Sequence, residues 1–438
     1  MFRLPSATRL RVPLLVFVVC SAAYVATLGT RIRGPSDNTH FVSLADSYLH
    51  GQLSVVGDKP PGDNDWAQYK GHWYVAFPPV PALVILPAVA IWKIAVWDRL
   101  YWAIFAGLGP ALLYVLLRRL RERYGSGRSA REDLSLCALF AFGSAYYYTA
   151  VQGTVWFAAH VVAAPLIVLF VLWSLGARRP LLAGLALGLA WATRASTFGL
   201  GLFFVIEALS AARPPLPAAT DDEATPLLVA ARWLRGVQWQ RALLKLALFA
   251  VPCLIVVGIS LWLNQLRFDD PFEVGYRYLR IRWSGRIDKW GLFNYHYLSK
   301  NLAVFLAALP WFSASEPYLR ISRHGLALWL TTPAYLWVLW PKRSNALLTG
   351  LALAAATVAV FDLCYQNSGW IQFAYRFSLD YSVLLIAMLA LGGRRFGPGF
   401  YALLVFACAI NLFGALTFDR TGRYYDQDNS QQVIFQPD

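Results

Sequence analysis

The chain has 438 residues, of which 58% are hydrophobic and only 14% charged, whereas soluble domains carry about 25% charge. Too little polar residue remains to cover a globule, which excludes a soluble enzyme, a nucleic-acid-binding module and a disordered protein and leaves an all-α polytopic membrane protein. The formal net charge is +15, and in a chain of this kind such an excess serves orientation and contact with anionic lipid.

Arg3, Arg9 and Arg11 precede an apolar run over 12–30. It reads as an uncleaved first span with a cytoplasmic N-terminus rather than a secretory signal, because the many apolar segments behind it need a first orientation signal. A first outer loop follows over 31–99. There Arg33-Gly34-Pro35-Ser36-Asp37-Asn38-Thr39-His40 leads into an amphipathic helix with Phe41, Leu44, Ala45, Tyr48 and Leu49 on one face and Gly51 as its stop. The pattern predicts a helix lying along the membrane surface, apolar face down.

Segment 79–97 is Pro-rich (Pro79, Pro81, Pro87) and ends in Trp92, Lys93, Trp97, Asp98 and Arg99, which suits an interfacial helix that does not cross. Apolar segments then follow near 100–117, 134–150, 158–176, 181–193, 197–210, 242–264, 325–340, 345–363, 377–391 and 398–417. With 79–97 left out, the basic clusters at 118–123, 178–179, 213–241, 342–343 and 394–395 all fall on one side. This gives about eleven spans, with the N-terminus inside and the C-terminus outside. Segments 181–193 and 197–210 are too short for a crossing of about 20 residues. They predict a broken pair meeting around Thr193-Arg194-Ala195-Ser196, over a polar cavity.

The chain reads as one domain over 1–438, with a cytoplasmic loop at 211–241, a large outer loop at 265–324 and an outer tail at 418–438. None of the five cysteines stands at CxxC spacing, so neither a disulfide framework nor a thiolate site is expected.

The chemistry gathers on the outer side. All six histidines (His40, His50, His72, His160, His296, His324) fall there, without HExxH or another zinc-ligand spacing. Asp37 sits where the first span leaves the membrane. It is either a helix N-cap or a carboxylate that aligns and deprotonates an acceptor hydroxyl. Residues 267–300 carry Arg267, Arg277, Arg280, Arg282, Arg286, Lys289 and Lys300 among Tyr and Trp. They form either a solvated face or a basic, aromatic collar for a lipid phosphate. Arg194 and Arg376 add cations nearer the membrane, where charges need a polar partner or a ligand. Asp362 and Asp380 flank the link holding Arg376 and are its candidate partners.

Taken in order, Asp37-Asn38, Phe41, Ala45, Leu49 and Gly51, then Tyr74 to Pro79, then Gly184 to Gly188 and Thr193-Arg194 form a known pattern. It resembles the GT-C superfamily of membrane glycosyltransferases that use polyprenyl-phosphate sugars, such as protein O-mannosyltransferases and the aminoarabinose transferases of lipid A. The resemblance covers about the first 210 residues. Many of those enzymes have Asp-Glu where this chain has Asp37-Asn38, so only Asp37 inherits the base role; no sizeable soluble domain follows the last span.

The resemblance implies an inverting transfer of a hexosyl or pentosyl group, with polyprenyl phosphate leaving. The acceptor would be a hydroxyl of an envelope glycan, lipid or protein at the outer face of a plasma membrane. Arg in excess of Lys points to a bacterial chain. No nucleotide cofactor is implied, and metal dependence, which varies across the superfamily, is not inferred. Asp37 would be the base; Arg194, Arg376, Arg277, Arg280 and Arg282 would hold the donor phosphate; His40, Asp46, Tyr74 and His160 would position donor or acceptor. The alternative is a transporter or flippase for a lipid-linked saccharide. It would need ionisable residues at midplane, whereas the charges here gather at the outer edge.

Overall fold

The computed structural model describes residues 7–57, 60, 64–214, 234–279, 281 and 284–425. Its helices are α1 (Ala7–Leu28), α2 (His40–Leu49), α3 (Val80–Trp92), α4 (Asp98–Ala106), α5 (Leu108–Arg123), α6 (Ala130–Phe142), α7 (Tyr146–Ala150), α8 (Val155–Ser174) and α9 (Pro180–Trp191). They continue with α10 (Gly201–Ala211), α11 (Trp239–Phe268), α12 (Ser284–Trp290), α13 (Leu298–Ala307), α14 (Leu328–Thr331), α15 (Ala346–Leu363), α16 (Leu379–Leu391) and α17 (Pro398–Thr417). Sheet is confined, among the described residues, to two small antiparallel hairpins. The protein is an all-α polytopic membrane protein.

Six helical stretches among the described residues are long and apolar enough to cross a membrane: Arg9–Ile32, Asp98–Arg123, Val155–Ala177, Trp239–Phe268, Ala346–Leu363 and Pro398–Thr417. The other expected spans are short or interrupted. α6 stops at Gly143 before α7 resumes, and α14 gives way at Pro333 to a 3₁₀ stretch, Pro333–Leu339. α16 is only 13 residues long and is entered through the turn Arg376–Ser378. α9 and α10 are the expected broken pair. Between them Arg194 adopts extended backbone (φ −144, ψ 109) ahead of a 3₁₀ turn, Ala195–Leu200.

The Gly-rich run of α9 is a packing seam. A Cβ on Gly184 would stand 2.0 Å from the Phe249 carbonyl oxygen, and one on Gly188 would stand 3.1 Å from Val256. Small residues at this spacing let α9 and α11 approach backbone to backbone, as membrane helices lacking a hydrophobic drive require.

α3 has 13 residues, which at 1.5 Å per residue span about 20 Å, short of a hydrocarbon core of about 30 Å. By length alone this helix does not reach across, and whether 79–97 crosses is a question for topology reporters. A reporter fused after Arg123 should read cytoplasm and one at the C-terminus should read the outer side. Agreement of the two on one side would return 79–97 to the list of spans.

α2 departs from the surface-helix expectation. His40 to Ser47 are all buried, on both faces of the helix, although Leu49 remains exposed. The covering layer includes α3 and a hairpin of β1 (Trp66–Tyr69) and β2 (His72–Val75). Its register runs from Trp66↔Val75 to Tyr69↔His72. The turn Lys70-Gly71 has positive φ at both positions (48 and 82), the two-residue geometry whose twist suits paired strands. Ala67 bridges to Leu279, and Arg267 donates to the Val75 carbonyl at 3.0 Å, tying the first outer loop to the large one.

Candidate functional site

Where these loops meet lies a cavity of about 710 Å³. Its lining comes from the Asp37 turn, the hairpin flanks, the N-terminus of α8, the α9–α10 break, the large outer loop, the link before α16 and the chain after α17.

Asp37 is on this wall, with its side chain 76% exposed. It is not the cap of α2: Thr39 holds the N-cap position and makes no side-chain cap bond. Instead Asp37 Oδ2 accepts from Arg99 Nη2 at 2.9 Å, and Arg99 Nη1 donates to the Pro35 carbonyl at 3.0 Å. The adjacent Asp98 accepts both the backbone N–H and the hydroxyl of Ser36, each at 2.6 Å. The dipeptide Asp98-Arg99 at the start of α4 therefore pins the turn 35–37, leaving Asp37 Oδ1 without a hydrogen bond among the described residues. Gly153 (φ +80) closes over Arg99, where a Cβ would lie 2.6 Å from Arg99 Cγ.

His40 is fully buried and does not line the cavity; it organises the wall. Its ring stacks on Trp66 (centroids 3.9 Å apart, planes at 13°), meets Phe77 edge-on, and bonds the Asn64 carbonyl through Nε2 at 2.9 Å. Burial pushes its pKa down to about 4. A histidine that protonates near 6.5 when unfolded then binds more protons unfolded than folded. Its contribution is intact above pH 6.5 and lost progressively as pH falls toward 4, and the loss reaches roughly 2 kcal/mol at pH 5. The melting temperature should fall between pH 7 and 5 by less in a His40→Phe variant than in the wild type; equal falls would contradict this.

Next to it Asp65 (φ 60) lines the cavity, and its Oδ2 accepts the indole N–H of Trp156 at 2.9 Å. Burial raises the Asp65 carboxyl above its usual range despite that bond.

The cations behave differently from one another. Arg194, on the cavity wall, is held in a two-pronged pair by Asp380: Nη2 to Oδ2 at 2.7 Å, and Nε 3.1 Å from each oxygen. Asp380 is fully buried and also accepts from the Ser196 hydroxyl (2.5 Å) and contacts His160 Nδ1 (3.1 Å). Asp380 thus pairs with Arg194, not with Arg376 as its sequence position implied. His160 lies behind this cluster, out of the cavity lining.

Arg376 lines the cavity but is only 4% exposed and has no carboxylate partner among the described residues. Its Nη1 donates to the carbonyls of Gly369 and Ile371, its guanidinium lies over Phe157 and Phe377, and its Nε is buried without a hydrogen-bond partner among the described residues. Asp362 also lines the cavity, with Oδ2 buried and without a hydrogen-bond partner among the described residues.

Other expected residues fall elsewhere. Asp46 is buried in α2, 3.6 Å from His50 Nδ1, and does not reach the cavity. The layers over α2 bury it from His40 to Ser47, so Asp46 is not in place to position donor or acceptor. Tyr74 packs edge-on against Phe268 at 5.3 Å. Arg277 is 71% exposed, 3.8 Å from Glu273, while Arg280 and Arg282 lie outside the described residues. What the large outer loop sends to the cavity is mostly apolar or aromatic (Val274, Tyr276, Leu279, Ile281, Leu292 and Phe293), together with Arg323, whose Nε donates to the Tyr425 carbonyl at 3.0 Å. Arg267 and Arg286 hold structure, on the Val75 carbonyl and Gln366 respectively. The collar therefore does not assemble on the cavity among the described residues; Arg194 and Arg376 do. Sequence reasoning missed Arg99, Asp65 and Trp156 as parts of the site. The only signal for Arg99 was an Asp-Arg dipeptide opening a span.

The fold built around this cavity is shared with a solved membrane protein. The structure is similar to that of ArnT from Cupriavidus metallidurans bound to undecaprenyl phosphate, with a TM-score of 0.54 and 15% identity, covering 91% of this chain and 62% of that one. It also matches the archaeal oligosaccharyltransferase AglB from Archaeoglobus fulgidus, in complex with an inhibitory peptide and a dolichol-phosphate, at a TM-score of 0.46 and 12% identity over 96% of this chain and 56% of that one. The chain thus spans less than two thirds of the length of either neighbour. The sequence matches no protein-family model and no curated protein.

Proposed function

We propose that the protein is a membrane glycosyltransferase that moves a sugar from a polyprenyl-phosphate donor to an acceptor hydroxyl at the outer membrane face. The single observation that carries this reading is Arg376, a buried guanidinium on a cavity wall with no carboxylate against it among the described residues. An uncompensated buried cation is costly, and an anionic ligand removes that cost. The undecaprenyl phosphate in the ArnT structure, whose fold this chain shares, supports a lipid phosphate as that anion.

In the reaction, Asp37 Oδ1 takes the proton of the acceptor hydroxyl, whose oxygen attacks the anomeric carbon as the bond to the phosphate oxygen breaks. Polyprenyl phosphate leaves with the electron pair from the opposite face, so the anomeric configuration inverts. The leaving group is stable as an anion and needs cations rather than a proton donor, the role of Arg376 and of the cavity-facing edge of Arg194. Arg99 fixes the direction of the Asp37 carboxylate without blocking both oxygens.

Binding of a short-chain polyprenyl phosphate to the purified protein tests the carrying observation. Arg376→Gln should weaken it by ~10–100-fold, the loss of a charge-assisted contact. Equal binding by the variant removes Arg376 from the site, and no binding by the wild type contradicts the reading.

A further inference from the structure

The proposed reaction occupies Asp37, Arg376 and Arg194 but leaves one wall of the cavity unused. On that wall Asp65 and Trp156 form a bonded pair, flanked by Asn38, Asn64 and Thr154. The wall is rigidly built. Val155 N–H donates to the Asn38 carbonyl at 3.3 Å, His40 holds the Asn64 carbonyl, and the His40–Trp66 stack lies behind. The Thr154 hydroxyl is buried with no hydrogen-bond partner among the described residues, although the residue lines the cavity and is only 5% exposed. The indole N–H engages only Asp65 Oδ2, leaving Oδ1 without a hydrogen bond among the described residues.

A carboxylate oxygen, two side-chain amides and a hydroxyl beside an indole face make a set that fits a polyhydroxylated ring. The carboxylate and amides accept or donate to vicinal hydroxyls, and the indole packs against C–H groups. Asn38 is the chain neighbour of Asp37, so this wall adjoins the carboxylate assigned as base.

We infer that Asp65, Trp156, Thr154, Asn38 and Asn64 form the glycosyl-recognition subsite of this cavity and select an uncharged sugar by its hydroxyls. The inference rests on the glycosyltransferase reading. The Asp65 carboxylate grips a hydroxyl pair and repels a sugar that carries its own carboxylate or phosphate, so the subsite discriminates by charge as well as by shape.

Direct binding tests it without turnover. The probes are farnesyl phosphate and its mannosyl, arabinosyl and glucuronosyl esters, titrated against the full-length protein in detergent. The wild type should bind at least one neutral glycosyl ester more tightly than farnesyl phosphate, and the glucuronosyl ester more weakly than the neutral ones. Asp65→Asn keeps the size and tolerates the left-handed backbone at this position. It should cut the affinity gained from the neutral sugar by ~10–100-fold and narrow the gap to the glucuronosyl ester, while farnesyl phosphate binding stays at the wild-type level. A merely structural Asp65 would weaken all four probes together, and an unchanged variant would remove it from the subsite; either result overturns the inference. Equal wild-type affinity for all four also overturns it. Failure of the wild type to bind farnesyl phosphate at all sinks the underlying reading instead.

Discussion

Asp37→Asn should leave the protein folded and inserted while turnover falls about 10²–10⁴-fold, the usual effect of losing a general base. The structure sharpens this expectation, because Asp37 is not the cap of α2 and, among the described residues, its carboxylate is hydrogen-bonded only to Arg99. Arg99 is itself only 10% exposed, but it keeps its bond to the Pro35 carbonyl and can donate to the Asn oxygen, so stability should fall by about 1–2 kcal/mol and the protein should still fold. Asp46→Asn serves poorly as a control, since Asp46 is buried. Asp269→Asn, in an exposed pair with Lys70, is the better comparison and should be nearly silent. Sugar transfer at wild-type rate by Asp37→Asn would remove the base assignment.

Arg194→Ala should destabilise the protein by about 3–5 kcal/mol, the cost of leaving a buried charge without its partner. Asp380 is fully buried, and its two-pronged bond to Arg194 is the main compensation for its charge, with Ser196 and His160 contributing less. Loss of donor use in this variant therefore mixes binding with folding. The double variant Arg194→Ala/Asp380→Asn separates the two: it should recover most of the melting temperature while donor affinity stays low. A single variant that melts like the wild type would show that the Asp380 pair carries no structural weight.

The sequence revealed the fold wherever one physical signal dominated. Unbroken apolar runs marked the spans, and the shortness of 181–193 and 197–210, with Arg194 between them, marked the break. Asp37 was legible as well, because a carboxylate directly after a first span stands out. The partners were not legible. Arg99 reaches Asp37 across 62 positions and Asp380 reaches Arg194 across 186, and no local pattern encodes either contact. The hairpin Trp66–Val75 escaped notice because its strands have four residues each and no clean alternation. The density of Arg over 267–286 was legible only as charge: composition does not tell which side of the loop faces the cavity, and Arg280 and Arg282 lie outside the described residues. The cytoplasmic loop expectation falls mostly on 215–233, outside the described residues.

The reaction itself is tested most directly by following a radiolabelled sugar from its polyprenyl-phosphate ester to extracted envelope acceptors with the purified protein and no nucleotide added. The account predicts labelled acceptor, an equal amount of released polyprenyl phosphate, and an inverted anomeric centre in the product. Retention of configuration, or movement of intact donor across a bilayer without transfer, would contradict it.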